Sequence, residues 1–164
     1  MASDTAPLRI SGIEPESIVD GPGLRYVIFT QGCPHRCPGC HNPQTHDFAG
    51  GGPADIPAIL ADIAADPLLQ GVTFSGGEPF CQPGPLAQIA RAARGMGKDV
   101  VAYSGYTLEQ LEAMAGTDPA VADLLSLCDI LIDGPYIEAQ RDLTLRFRGS
   151  ANQRVIYLQK GMTP

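Results

Sequence analysis

The 164-residue sequence predicts an α/β fold: an open partial (β/α) barrel or open twisted sheet of about five mostly parallel strands, in a single domain over 1–164. Three observations predict it. Short runs of β-branched, aromatic and other apolar residues alternate with segments of helical periodicity, as in consecutive βα units. The middle runs are almost wholly apolar, the pattern of strands covered on both faces. A chain with so few strands cannot close an eight-stranded barrel, yet its length lets it bury roughly 70% of the surface its unfolded form exposes.

The first strand is expected at Tyr26-Val27-Ile28-Phe29-Thr30, and the Gly- and Pro-rich stretch from Ala49 to Pro53 reads as a loop. Ile56, Ile59, Leu60 and Ile63 then share one helical face, ahead of a second strand at Val72-Thr73-Phe74. Leu86, Ile89, Ala90 and Ala93 define the next helix, with Pro85 near its first turn, and Val100-Val101-Ala102-Tyr103 the third strand. Thr107 with Gln110 forms a capping box before Leu108, Leu111 and Met114, and Asp118-Pro119 offers an N-cap and first-turn proline for another helix. Gly116 separates the two. Ile130-Leu131-Ile132 and Val155-Ile156-Tyr157-Leu158 complete the strands. Parallel crossovers are right-handed, and in either architecture a site belongs at the C-terminal ends of the strands.

Composition excludes several functions. Lys and Arg number 11 against 18 Asp and Glu, a formal charge of −7, and no basic run could follow a nucleic-acid backbone. Apolar residues, 44% of the chain, never gather into the roughly 20-residue run that spans a bilayer. Met1 to Ile10 lack the basic start and apolar stretch of a secretory signal, so the cytoplasm is expected. There, five cysteines point to metal or redox chemistry rather than disulfides.

Cys33, Cys37 and Cys40 follow the first strand in a C-x3-C-x2-C spacing, with Gly32, Pro34, Pro38 and Gly39 favouring a tight non-helical wrap. Backbone amides in such a wrap can point at sulfur and tune a cluster. Three cysteines leave one iron of a four-iron cubane without a protein thiolate. A structural zinc site borrowing His35, His41 or His46 fits the spacing equally, since soft thiolates suit both. The second strand runs into Ser75-Gly76-Gly77-Glu78-Pro79, where glycine lets a ligand approach the backbone and Glu78 can receive an ammonium.

The three-cysteine loop after strand one, combined with Gly76-Gly77-Glu78-Pro79 after strand two, resembles the radical S-adenosylmethionine superfamily. Val19-Asp20-Gly21-Pro22-Gly23-Leu24-Arg25 and Cys40-His41-Asn42 are similar to the glycyl-radical-enzyme activases. Ile130-Leu131-Ile132-Asp133-Gly134 and Arg148-Gly149-Ser150-Ala151-Asn152-Gln153 resemble the branch that activates anaerobic ribonucleotide reductases. The similarity runs from about Asp20 to Leu158.

This resemblance implies a [4Fe–4S] cluster on Cys33, Cys37 and Cys40 and S-adenosylmethionine bound by Gly76, Gly77 and Glu78 at its methionine end. It implies Tyr103 and Ser104 near the nucleoside and Asp133 at the cofactor's polar end, Asp133 serving equally as a turn or capping residue. Reductive cleavage would yield a 5′-deoxyadenosyl radical that abstracts a glycine hydrogen from an anaerobic ribonucleoside-triphosphate reductase. A low-potential donor such as flavodoxin or ferredoxin would supply the electron. The alternatives are activation of another glycyl radical enzyme, such as a pyruvate formate-lyase-like protein, and a non-catalytic metal-binding interaction module. Two positions depart from relatives: Pro135 replaces a frequent lysine, and Gly39 a frequent aromatic.

Cys81 and Cys128 read as small buried hydrophobes, and His35 and His41 as structural residues of the cysteine loop. Arg25 either pairs with a carboxylate near the site or is solvated. Arg148, Asn152 and Gln153 stand between cofactor, partner and loop roles.

Overall fold

A computed structural model describes residues 7–159. The expectation that no export signal opens the chain falls partly on residues 1–6, outside the described residues. The fold is mixed α/β, with seven strands: β1 (Arg9–Ser17), β2 (Arg25–Thr30), β3 (Gly52–Pro53), β4 (Gly71–Gly76), β5 (Asp99–Tyr103), β6 (Ile130–Asp133) and β7 (Arg154–Tyr157). They form one sheet in the order β3-β1-β2-β4-β5-β6-β7. The four central strands β2, β4, β5 and β6 pair in parallel, whereas β1 pairs antiparallel with β2 and β3, and β7 antiparallel with β6.

Helices α1 (Ile56–Ala65) and α2 (Pro83–Gly95) make the first two crossovers, and α3 (Leu108–Ala115) with α4 (Pro119–Leu127) the third. Their starts follow local chemistry. Asp55 accepts from the Ala58 amide and Asp118 from the Ala120 amide, each before a proline in the first turn. Thr107 and Gln110 close the expected capping box.

Parallel registry lines up Tyr26 with Val72 and Val100, and Ile28 with Phe74, Ala102 and Leu131. These rows meet Ile59 and Ile63 of α1, Leu86, Ile89 and Ala93 of α2, Leu111 of α3 and Leu124 of α4 in the main core. All four helices therefore cover one face. The expectation of strands covered on both faces holds, with the helices on this face alone. On the opposite face Val101, Ile130 and Ile132 pack beside Tyr103, Val155 and Tyr157 of the same sheet and under Phe147, so the connection from β6 to β7 contributes the cover. A continuous apolar run reports burial on two sides without saying what buries it.

Two strands lie outside the sequence expectation, β1 and the short β3 within the Ala49–Pro53 stretch assigned to a loop. Arg25 is fully buried in neither of its expected roles. Its guanidinium donates to Thr73 Oγ1 at 2.7 Å and the Val72 carbonyl at 2.8 Å, and pairs with Asp99. Those contacts lie at the N-terminal ends of β4 and β5, away from the strand ends that carry the cysteine loop. Among the described residues no helix is long and apolar enough to cross a membrane.

Candidate metal and cofactor site

At the C-terminal ends of the parallel strands a cavity of about 370 Å³ is walled by the cysteine loop, the Ser75-Gly76-Gly77 end of β4, Tyr103-Ser104-Gly105 after β5, and residues from the β6–β7 connection. Cys33, Cys37 and Cys40 all line it. Left-handed backbone at Gly32 (φ 103°), Arg36 (φ 48°) and Gly39 (φ 75°) turns their loop so that all three line one wall. The loop is tied down where Gly32 N–H donates to the Thr45 carbonyl at 2.7 Å and Cys33 N–H to the His46 carbonyl at 3.2 Å. The Asn42 amide donates to Cys40 Sγ at 3.5 Å. Burial pushes the Cys33 thiol up, while the backbone amides of His35 and Arg36 pull the other way by favouring its thiolate.

The cysteine loop and the Gly-Gly-Glu turn are built as one piece. Gly77 N–H donates to the Thr30 carbonyl at 2.9 Å and Glu78 N–H to the Gly32 carbonyl at 2.8 Å. A Cβ on Gly77 would strike the Gly32 backbone, so glycine here admits the protein's own chain. The sequence reading reserved that space for a ligand.

Glu78 is fully buried and not among the residues lining the cavity. Its carboxylate accepts from the Ser104 hydroxyl at 2.9 Å, the Gly105 amide at 2.8 Å and the Phe80 amide at 3.1 Å, and lies 2.6 Å from His35 Nε2. With those partners it ties the cysteine loop, the β4 turn and the end of β5 together rather than facing an incoming ammonium. His35 also packs edge-on against Tyr106, their centroids 4.5 Å apart.

Of the other expected residues, Gly76, Gly77, Tyr103 and Ser104 line the cavity and Asp133 does not. Tyr103 donates to the Phe147 carbonyl at 2.6 Å, and burial pushes its phenol above its ordinary range. Asp133, 1% exposed, accepts from the Leu108 amide at 2.7 Å at the start of α3 and pairs with Arg154. Thr107 is the N-cap of that helix, and Asp133 satisfies its first free amide from the end of β6. Cys128 is buried, but Cys81 is exposed on the short turn after Glu78, a correction to its reading as a buried hydrophobe. Gly39 has its structural reason: φ is positive and Glu138 occupies the space of a side chain.

Sequence reasoning missed Tyr136 and Phe147 as wall residues and used His46 only as a spare ligand. The available signal was the long aperiodic stretch between β6 and β7, of a length that surface connections seldom reach without function.

A model of the 4Fe-4S single cluster domain family matches residues 19–156. The anaerobic ribonucleoside-triphosphate reductase-activating protein of Salmonella typhi is 36% identical over 160 residues, covering 93% of this chain and all of that one. Its counterpart in Escherichia coli K12 is 34% identical over 88% of this chain and 96% of its own, and that of phage T4 32% over 87% and 90%. The chain belongs to this activating-protein family. Among solved structures, QueE from Escherichia coli superposes with a TM-score of 0.49 at 19% identity, covering 64% of this chain and 56% of that one.

The residues present fit the cluster that the family description names. Three cysteines share one wall, and soft thiolates are the donors that iron–sulfur clusters take. Two orphaned polar atoms, His46 Nε2 and Arg148 Nε, belong to residues of the same wall.

Proposed function

We propose that this chain holds one [4Fe–4S] cluster on Cys33, Cys37 and Cys40 and binds S-adenosylmethionine in the same cavity. With these it generates a glycyl radical on an anaerobic ribonucleoside-triphosphate reductase. The observation that carries the reading is the sharing of one cavity, at the ends of parallel strands, by three thiols and the Gly76-Gly77 turn.

When bound, the cluster and S-adenosylmethionine supply a one-electron carbon–sulfur cleavage and the hydrogen-abstracting power that a glycine Cα–H demands. The residues supply position. Cys33, Cys37 and Cys40 would hold the cluster through three thiolates, one fewer than its irons, which would leave it a position for the small molecule. Gly76 and Gly77 present backbone at the methionine end, their missing side chains letting β4 close against β2 and Gly32, and Glu78 acts behind them by fixing the loop against the turn. Tyr103 and Ser104 border the nucleoside. Asp133 acts at one remove, holding the start of α3 and Arg154 of β7.

An open partial (β/α) barrel is the finer form of the fold in this reading: helices outside, and the inner face left for cofactor and for the partner's glycine loop. Glycine suits as target because no side chain blocks its Cα. The electron comes from a low-potential donor of the flavodoxin or ferredoxin kind. The compartment is the cytoplasm, where thiols stay reduced.

Anaerobic reconstitution with iron and sulfide, followed by dithionite reduction with S-adenosylmethionine, tests the reading. Methionine and 5′-deoxyadenosine should form, and a glycyl radical signal should appear on purified reductase and not on a pyruvate formate-lyase-like protein. A metal-binding interaction module would cleave nothing, and a lyase activase would reverse the partner result.

A further inference from the structure

Seven large apolar side chains among the described residues stand out in solvent, and three of them gather at the mouth of the cavity. Leu143 and Val19 line it while 80% and 70% exposed, and Ile18, 74% exposed, adjoins Val19. Side chains left in water forgo the stabilisation of burial, and a set of them at the rim of a site marks a surface that another molecule covers.

Leu143 is carried on an arm. Between β6 and β7 the chain doubles back on itself: the Ala151 amide donates to the Gln140 carbonyl at 2.9 Å, Arg141 bridges Ser150, and the Asp142 amide donates to the Gly149 carbonyl at 3.2 Å. The turn beyond carries Leu143, Leu145 and Phe147 along the cavity. It is fixed at both ends. The Asp142 carboxylate accepts from the Thr144 amide at 2.9 Å and hydroxyl at 2.5 Å, and the Tyr103 hydroxyl donates to the Phe147 carbonyl at 2.6 Å.

Ile18 and Val19 are held in a comparable way. The buried Ser17 hydroxyl accepts from the Val19 amide at 3.3 Å and donates to the Asp20 carboxylate at 2.6 Å, setting the turn while its two apolar side chains stay in solvent. Backbone already fixed in this way has less freedom to lose on docking.

The occupant follows from the position. A radical made in this cavity reaches a glycine on another chain only if a segment of that chain crosses the rim, which lays the flanks of the segment on Leu143, Val19 and Ile18. A second copy of this chain seated there would close the mouth against it.

We propose that Leu143 at the tip of the arm, together with Ile18 and Val19, forms an apolar docking lip for the glycine-bearing segment of the reductase. The assignment rests on the proposed function for the identity of the partner. These side chains hold the partner and take no part in the chemistry.

The test is equilibrium capture of purified anaerobic ribonucleoside-triphosphate reductase by anaerobically reconstituted holoprotein with S-adenosylmethionine present. Leu143→Ser should weaken capture by about 10-fold or more, the loss expected for a truncated interface anchor, and Leu143→Met, which keeps the apolar area, by under about 3-fold. Leu68, 75% exposed ahead of the N-terminal end of β4, is the control, and Leu68→Ser should leave capture unchanged. Capture by Leu143→Ser within about 3-fold of the wild type overturns the assignment, as does an equal loss in Leu68→Ser or in Leu143→Met. Cleavage of S-adenosylmethionine under dithionite without reductase should be the same in Leu143→Ser and the wild type; a loss there would place Leu143 with the cofactor and overturn the docking role. A free activase that is a dimer, split by Leu143→Ser while reductase capture holds, makes the lip a self-interface and also overturns it. Wild-type holoprotein that captures the reductase but yields no methionine or 5′-deoxyadenosine sinks the proposed function instead, an outcome the capture series does not produce.

Discussion

Glu78 carries the largest concentration of polar contacts in the site. Its buried carboxylate faces His35, the Ser104 hydroxyl and the Gly105 and Phe80 amides, and removing it strands several donors at once. Glu78→Ala should therefore destabilise the metal-free chain by roughly 3 kcal/mol or more in urea unfolding, and His35→Ala by less, because the other donors keep their acceptor. A loss under about 1 kcal/mol for Glu78→Ala would show the network to be idle. Cys128 gives a prediction in pH. Burial pushes its thiol from 9.0 up to about 12, so above pH 9 the unfolded chain releases a proton that the folded chain retains. Stability from this group is complete below pH 9 and declines as pH climbs toward 12, by up to about 1.4 kcal/mol per unit. Urea midpoints at pH 8 and pH 10 should fall less in Cys128→Ala than in the wild type; equal declines would contradict the cause. At this scale the sequence identified the thiols and glycines of the wall, because their chemistry is carried by residue type and spacing. It did not reveal that Glu78 turns inward or that His46 and Arg148 line the cavity, since side-chain direction depends on elements far apart in the chain.

Helix starts are the elements most directly written in the sequence, and the structure returns Thr107 and Asp118 as caps with their amide partners. Asp118→Ala should cost about 1 kcal/mol, and Thr107→Ala a similar amount, the latter leaving the Gln110 amide without its hydroxyl acceptor. Urea unfolding checks both, and a change within experimental error for both would remove the caps from the account. The parallel strands were legible for a different reason: their apolar runs are long enough to signal burial, and amphipathic segments separate them. β1 was not. Its Arg9–Ser17 stretch holds Gly12, Glu14, Pro15 and Glu16 and is mostly exposed, because β3 pairs with it only at Arg9 and Ile10, leaving much of one edge open. Such an edge tolerates proline and charge, which erase a strand signal. The antiparallel sense of β7 was equally hidden, since local residues do not state the direction of a neighbour.

Across the whole molecule, helices on one face and connections on the other leave the strand ends as the place where distant segments converge, and the cysteine loop hangs there on few backbone bonds. Removing the cluster should loosen that loop and little else. Hydrogen exchange should show amides of 32–46 gaining protection on reconstitution while β4, β5 and β6 stay unchanged; a uniform gain would mean that the metal stabilises the fold globally. The central claim is a four-iron centre held by three thiolates with a site left for S-adenosylmethionine. Its most direct measurement is iron content with electron paramagnetic resonance of the reduced protein, before and after S-adenosylmethionine, in the wild type and in alanine variants of Cys33, Cys37 and Cys40. The account predicts about four irons per chain, a spectrum that changes with the ligand, and loss of both in each variant. One zinc per chain, an unchanged spectrum, or a variant that keeps its cluster would contradict it.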